Sequence, residues 1–104
     1  MANFTSMNEW SFSGEVYYLK ELEKDYGASI KIRGTAPRGD SVASSQIAEL
    51  SCLLTKDAYE QAKKRGLSLY KKVAVSGHIE TFVKDADFNK VKNMFIAEYV
   101  LEVA

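Results

Sequence analysis

The chain has 104 residues, with 14 Lys+Arg against 14 Asp+Glu, one His and one Cys. That length fits one domain, and an apolar share of 46% is ordinary for a globular chain and too high for a disordered one. A lone Cys52 excludes an intrachain disulfide and a Cys-based zinc site, and apolar runs of about four residues (Met94 to Ala97) fall far short of the roughly 18 of a membrane span.

Residues 1–8 read as an N-terminal extension ahead of a single domain that fills the rest of 1–104. Met1-Ala2-Asn3-Phe4 has neither a basic region nor an apolar stretch, so a cytoplasmic protein without a signal peptide is expected. The Asn3-Phe-Thr5 sequon carries no meaning in that setting. The first strand is Glu9 to Tyr18, rich in aromatic and β-branched residues. Gly14 within it marks a bulge or a sharp bend. Leu19 to Tyr26 is charged, with Leu19, Leu22 and Tyr26 at helical spacing, and reads equally as a loop or a short helix closed by Gly27.

Ala28 to Thr35 is a second strand, since Ile30 and Ile32 alternate with Ser29, Lys31, Arg33 and Thr35. Ala36 to Ser45 holds Pro37, Gly39, Asp40 and three serines and reads as a loop. The Arg38-Gly-Asp40 triplet within it is attributed to chance. Gln46 to Leu54 is a third strand with Ala48, Leu50, Cys52 and Leu54 on one face. Thr55 to Gly66 is the one clear helix, with Thr55 as N-cap, Lys63-Lys64-Arg65 in the last turn and Gly66 as left-handed C-cap. Its apolar side, Ala58, Tyr59 and Ala62, is thin, so the helix is expected to cover the end of another element rather than sit in the middle. Lys71 to Phe82 is a fourth strand with Val73, Val75, Gly77 and Ile79 alternating. Val83 to Lys90 is a charged loop around Phe88. Lys92 to Val103 is a fifth strand with Phe95, Ala97, Tyr99, Leu101 and Val103 on one face. The order β-β-β-α-β-β is that of the OB-fold, an all-β, partly open five-stranded barrel that binds oligonucleotides or oligosaccharides.

On these residues the chain resembles the single-stranded DNA-binding proteins of bacteria and their phages. The likeness rests on Phe12-Ser-Gly-Glu-Val16, on Gln46 to Leu54, and on Ala58 to Phe82, where a helix and glycine turn lead into Val73-Ala-Val75-Ser-Gly77-His-Ile79. It spans roughly residues 9–103. It implies sequence-tolerant binding and protection of single-stranded DNA in replication or recombination, and homo-oligomers, dimers or tetramers, with replication or recombination proteins as further partners. It implies no cofactor and no membrane. Cellular members usually carry a Gly/Pro-rich linker and an acidic tail after the last strand. Here Leu101-Glu-Val-Ala104 follows directly, which points to a phage or mobile-element type or to a chain from which a tail has been cut. The alternative is an OB-fold protein-interaction module, an accessory factor of replication or recombination.

Single strands are held by cations and by aromatic rings on which bases stack. If Ile30 and Ile32 face the interior, Lys31 and Arg33 face out. Arg38 follows in the next loop. If Val16 and Tyr18 point inward, Tyr17 points out. Trp10 either stacks on a base or packs as core or subunit contact. Tyr26 ends the first loop, and Phe88 lies between Lys84 and Lys90 in the loop before the last strand. Phe95 and Tyr99 read as core or interface. Lys63-Lys64-Arg65 suits a helix C-terminus, and His78, lacking acidic partners nearby, reads as an ordinary strand residue. Enzymatic readings are weak. No phosphate-cradling glycine motif is present, Cys52 has core parity, and Asp85 and Asp87 sit in a charged loop.

Zero net charge argues against a nucleic-acid partner only if the charges are mixed. They are not. Residues 1–55 carry five basic and seven acidic side chains, 56–92 nine and five, and 93–104 only Glu98 and Glu102. Affinity must therefore come from a local groove, stacking and repeated subunits.

Overall fold

The alternation in the second strand, β2 (Ala28–Ala36), gives it one dry and one wet face. Ile30 and Ile32 are fully buried, while Lys31 and Arg33 are exposed. The computed structural model describes residues 8–36, 46–83 and 91–104. The other strands are β1 (Trp10–Glu21), β3 (Gln46–Leu54), β4 (Lys72–Val83) and β5 (Val91–Val103), with helix α1 (Lys56–Lys64) between β3 and β4. They close a barrel in the order β1-β2-β3-β5-β4. β3 and β5 are parallel and meet only from Cys52–Leu54 to Phe95–Ala97; the other neighbours are antiparallel. This is the OB-fold expected from the sequence.

The core gathers Val16, Ile30, Ile32, Leu54 and Val75, each worth about 1.5–3 kcal/mol of burial. Cys52 lies among them, and burial pushes its thiol up to about 12. α1 plugs one end of the barrel with Ala58, Tyr59 and Ala62. Thr55 Oγ1 accepts the Ala58 N–H at 3.1 Å. Gly66, at φ +91°, ends the helix: its N–H donates to the Lys63 carbonyl, and the Leu67 N–H donates to the Ala62 carbonyl at 2.9 Å. Among the described residues no helix is long and apolar enough to cross a membrane.

Three features depart from simple alternation. First, Leu19–Glu21 continue β1 by pairing with β2 as far as Glu21↔Ala28, so the segment is neither loop nor helix there. Second, the β1 bulge lies at Tyr17, between the pairs Val16↔Ile32 and Tyr18↔Lys31, and not at Gly14. Gly14 serves a close approach instead, because a Cβ there would overlap the Arg33 carbonyl. Third, β5 does not keep Tyr99 and Leu101 on the inner face. The register passes from Gly77↔Ala97 to Ser76↔Tyr99, and from Val75↔Val100 to Ala74↔Glu102, leaving Glu98 and Leu101 as extra residues. Tyr99 and Leu101 are each 60% exposed, while Val100 takes the core position.

Candidate nucleic-acid interface

Antiparallel pairing sets rows of side chains across the outside of the barrel. One row runs Lys72, Glu15, Arg33, Glu49 over β4, β1, β2 and β3; the next runs Tyr18, Lys31, Ser51 over β1, β2 and β3. All of these residues are exposed. Tyr17 is the bulged residue between the two rows.

The bulge gives this face two tyrosines in succession. The Lys31 ammonium lies 5.1 Å from the Tyr18 ring centre, and the Arg33 guanidinium lies 4.4 Å from that of Tyr17. Each contact is worth about 0.5–1 kcal/mol at an exposed site. Arg33 also pairs with Glu49 at 3.2 Å, both side chains about half exposed. Such pairs are worth about 0–1 kcal/mol, so a phosphate can replace Glu49 at little cost. Partial burial, then the Glu49 carboxylate, raises the Tyr17 phenol above its usual range against a weaker pull from Arg33. The phenol therefore stays neutral, as a stacking ring should. Beside this face, a groove of about 440 Å³ passes Arg33, Gly34, Gly14, Glu15, Lys72 and Glu102.

The structure thus brings together Lys31, Arg33 and Tyr17 of the residues singled out from sequence, and adds Tyr18. Tyr18 was expected inside; strict alternation from Val16 gives the wrong side because it takes no account of the bulge. Trp10 is not part of this cluster. Its indole N–H donates to the His78 carbonyl at 2.8 Å, and its ring meets Phe95 edge-on at 5.6 Å, against the core. Tyr26 is half-buried in the β1–β2 connection, beside α1 residues Tyr59 and Lys63. Burial, then Glu80 and Asp25, pushes its phenol up. Arg38, Lys84, Phe88 and Lys90 lie outside the described residues.

Two of the cations at the end of α1, Lys63 and Arg65, have structural work. Lys63 pairs with Glu60 at 3.0 Å and covers the Tyr59 ring, and Arg65 donates to the Val100 carbonyl at 2.8 Å. His78 is not without acidic partners: Glu98 hydrogen-bonds its Nδ1, and Glu80 lies 3.4 Å from its Nε2. The hydrogen bond to Glu98, opposed by burial and aided by the Glu98 and Glu80 charges, raises the imidazole pKa above 6.5. Together with Glu9, Trp10 and Tyr99, His78 and Glu98 line a groove of about 600 Å³. Glu9 and Glu98 border that groove, and no Lys or Arg among the described residues lines it.

No family model and no curated protein matches the sequence. Solved structures do match the fold. A Plasmodium falciparum SSB, solved in complex with single-stranded DNA, is 17% identical, with 97% of this chain and 100% of that chain covered at a TM-score of 0.61. A small single-stranded DNA-binding protein from Mycoplasma pneumoniae is 14% identical, with 95% and 93% covered at 0.57. The N-terminal domain of a PriB protein from Thermoanaerobacter tencongensis, a dimeric structure, is 15% identical, with 93% and 96% covered at 0.56. The chain shares the OB-fold of these proteins over nearly its whole length.

Proposed function

We propose that this chain binds single-stranded DNA without sequence preference, on the outer face of β1, β2 and β3, and coats it during replication or recombination, as phage-type proteins of this kind do. One observation carries the reading: two aromatic–cation pairs, Tyr18 with Lys31 and Tyr17 with Arg33, stand side by side on neighbouring strands. Rings supply stacking that tolerates any base, and the cations supply phosphate contacts. The fold's likeness to a structure solved with single-stranded DNA supports single-stranded DNA as the ligand. The role is binding rather than catalysis.

With zero net charge, a single copy binds modestly. Homo-oligomers, dimers or tetramers, raise affinity by placing several such faces on one strand. The test is a titration with oligo-dT at rising salt, beside duplex DNA and oligo-U, with light scattering to fix the number of copies. Tight binding of oligo-dT that weakens steadily with salt supports the reading. Absence of binding, or binding indifferent to salt, contradicts it. A second reading, a protein-interaction module, is favoured by Tyr99 and Leu101, exposed together on β5. A tight protein partner with negligible DNA affinity is its signature.

A further inference from the structure

Tyr70 has no structural reason to be a tyrosine. Its φ is +70°, in the left-handed region that a side chain beyond Cβ seldom adopts and that glycine or asparagine fills at less strain. Its side chain packs little, since the residue is 71% exposed, more than any other large hydrophobic of the described residues. Turn chemistry and core packing therefore both fail to account for the ring.

The backbone around it is nevertheless held firmly. The Tyr70 N–H donates to the Val16 carbonyl at 2.7 Å, and the Val16 N–H donates to the Lys71 carbonyl at 2.9 Å. These bonds fasten the segment to β1 at the residue next to the Tyr17 bulge. Lys72 then pairs with Glu15 and so enters the exposed row that continues to Arg33. Lys71 and Lys72 are both exposed, and neither forms an ion pair among the described residues. Neighbouring strands are about 4.8 Å apart, so Lys72 stands roughly two strand spacings from Arg33, across β1.

We infer that Tyr70, Lys71 and Lys72 form a second stacking and phosphate-binding station, which carries a single-stranded nucleic acid from the Lys31–Arg33 cluster over β1 towards the start of β4. The inference rests on the function proposed above and extends the same site. A ring followed directly by two cations suits a stacked base and the phosphates that follow it. Glu15 and Glu102 border the groove and keep the contact weak enough for a strand to exchange.

The experiment compares the wild-type chain with Tyr70→Gly and Lys71→Ala/Lys72→Ala, using oligo-dT of roughly 5 and roughly 20 nucleotides. Tyr70→Gly relieves the left-handed strain, so its Tm should hold or rise, and lost binding is then not lost folding. The expected result is a loss of about 5- to 150-fold for the longer oligonucleotide, little change for the shorter, and recovery in Tyr70→Phe. The double lysine variant should flatten the salt slope by about two units, and Tyr70→Gly should leave that slope alone. Wild-type affinity of Tyr70→Gly at both lengths overturns this inference and leaves the Lys31–Arg33 face standing. Equal losses at both lengths overturn the extended path. A wild-type chain that binds neither oligonucleotide overturns the parent reading and this one with it.

Discussion

The outer face of β1–β2–β3 and that of β4–β5 use one device to opposite ends. Each is shaped by bulges that turn side chains outward against the alternation: Tyr17 in β1, Glu98 and Leu101 in β5. On the first face the exposed rings stand beside Lys31 and Arg33. On the second, Tyr99 stands beside Glu98, Glu9 and His78. The balance of 14 cations and 14 anions thus averages over surfaces of different character. Bulges decide which side chains meet solvent, and the neighbouring charge decides what those side chains can hold.

The largest expected effect breaks the second face while sparing the first. A Cβ at Gly77 would overlap the Ile96 carbonyl across the β4–β5 ladder. Gly77→Ala should therefore cost about 3 kcal/mol of stability, read by denaturant unfolding. A variant as stable as wild type would mean that the two strands can separate there without cost.

Next come the rings of the first face. Tyr18→Ala and Tyr17→Ala should each weaken oligo-dT binding by about 1–3 kcal/mol if a base stacks on each. Glu80→Gln and Glu98→Gln, on the other face, should leave that affinity within about two-fold, since they touch no phosphate path. Losses of equal size from both faces would erase the distinction.

How much of this was legible beforehand follows from the physics of each element. β2 and β3 were readable to within a residue because their alternation is unbroken and one face is dry. The helix was readable from Thr55, the basic last turn and Gly66, all of which act as caps. From β2 alone, Lys31 and Arg33 could be assigned to the outside. Tyr18, Tyr99 and Leu101 could not be placed, because a bulge is a property of two paired strands and leaves no period in one of them. Gly14 reads as a bulge in one strand alone, and only the pairing with β2 shows its close approach to the Arg33 carbonyl. The partners of His78 were hidden for a similar reason: Glu98 reaches it only through β4–β5 pairing, although Glu80, two residues away, was in view.

A smaller effect concerns pH. His78 is titrated upward in the folded chain, chiefly by Glu98. Its contribution to stability is therefore full below the unfolded pKa of about 6.5 and fades as pH rises through the higher folded value. Tm measured from pH 6 to 9 should decline for the wild type more than for Glu98→Gln, while oligo-dT affinity stays indifferent to the variant. Identical pH profiles would show that the pair does not hold β4 to β5.

The smallest effect is at Glu49. Replacing it by Gln frees Arg33 from a half-exposed pair, so stability should change by no more than about 1 kcal/mol. Oligo-dT affinity should rise slightly. A fall would mean that Glu49 orients Arg33 for binding rather than competing with phosphate.

The most direct measurement is the salt dependence of oligo-dT affinity for Lys31→Ala/Arg33→Ala, compared with wild type after thermal melts show that both are folded. If the strand lies on the β1–β2–β3 face, the double variant binds more weakly at every salt concentration, and its log–log slope is flatter by about two units. A folded double variant with the wild-type affinity and slope would place the strand elsewhere on the barrel and contradict the proposed interface.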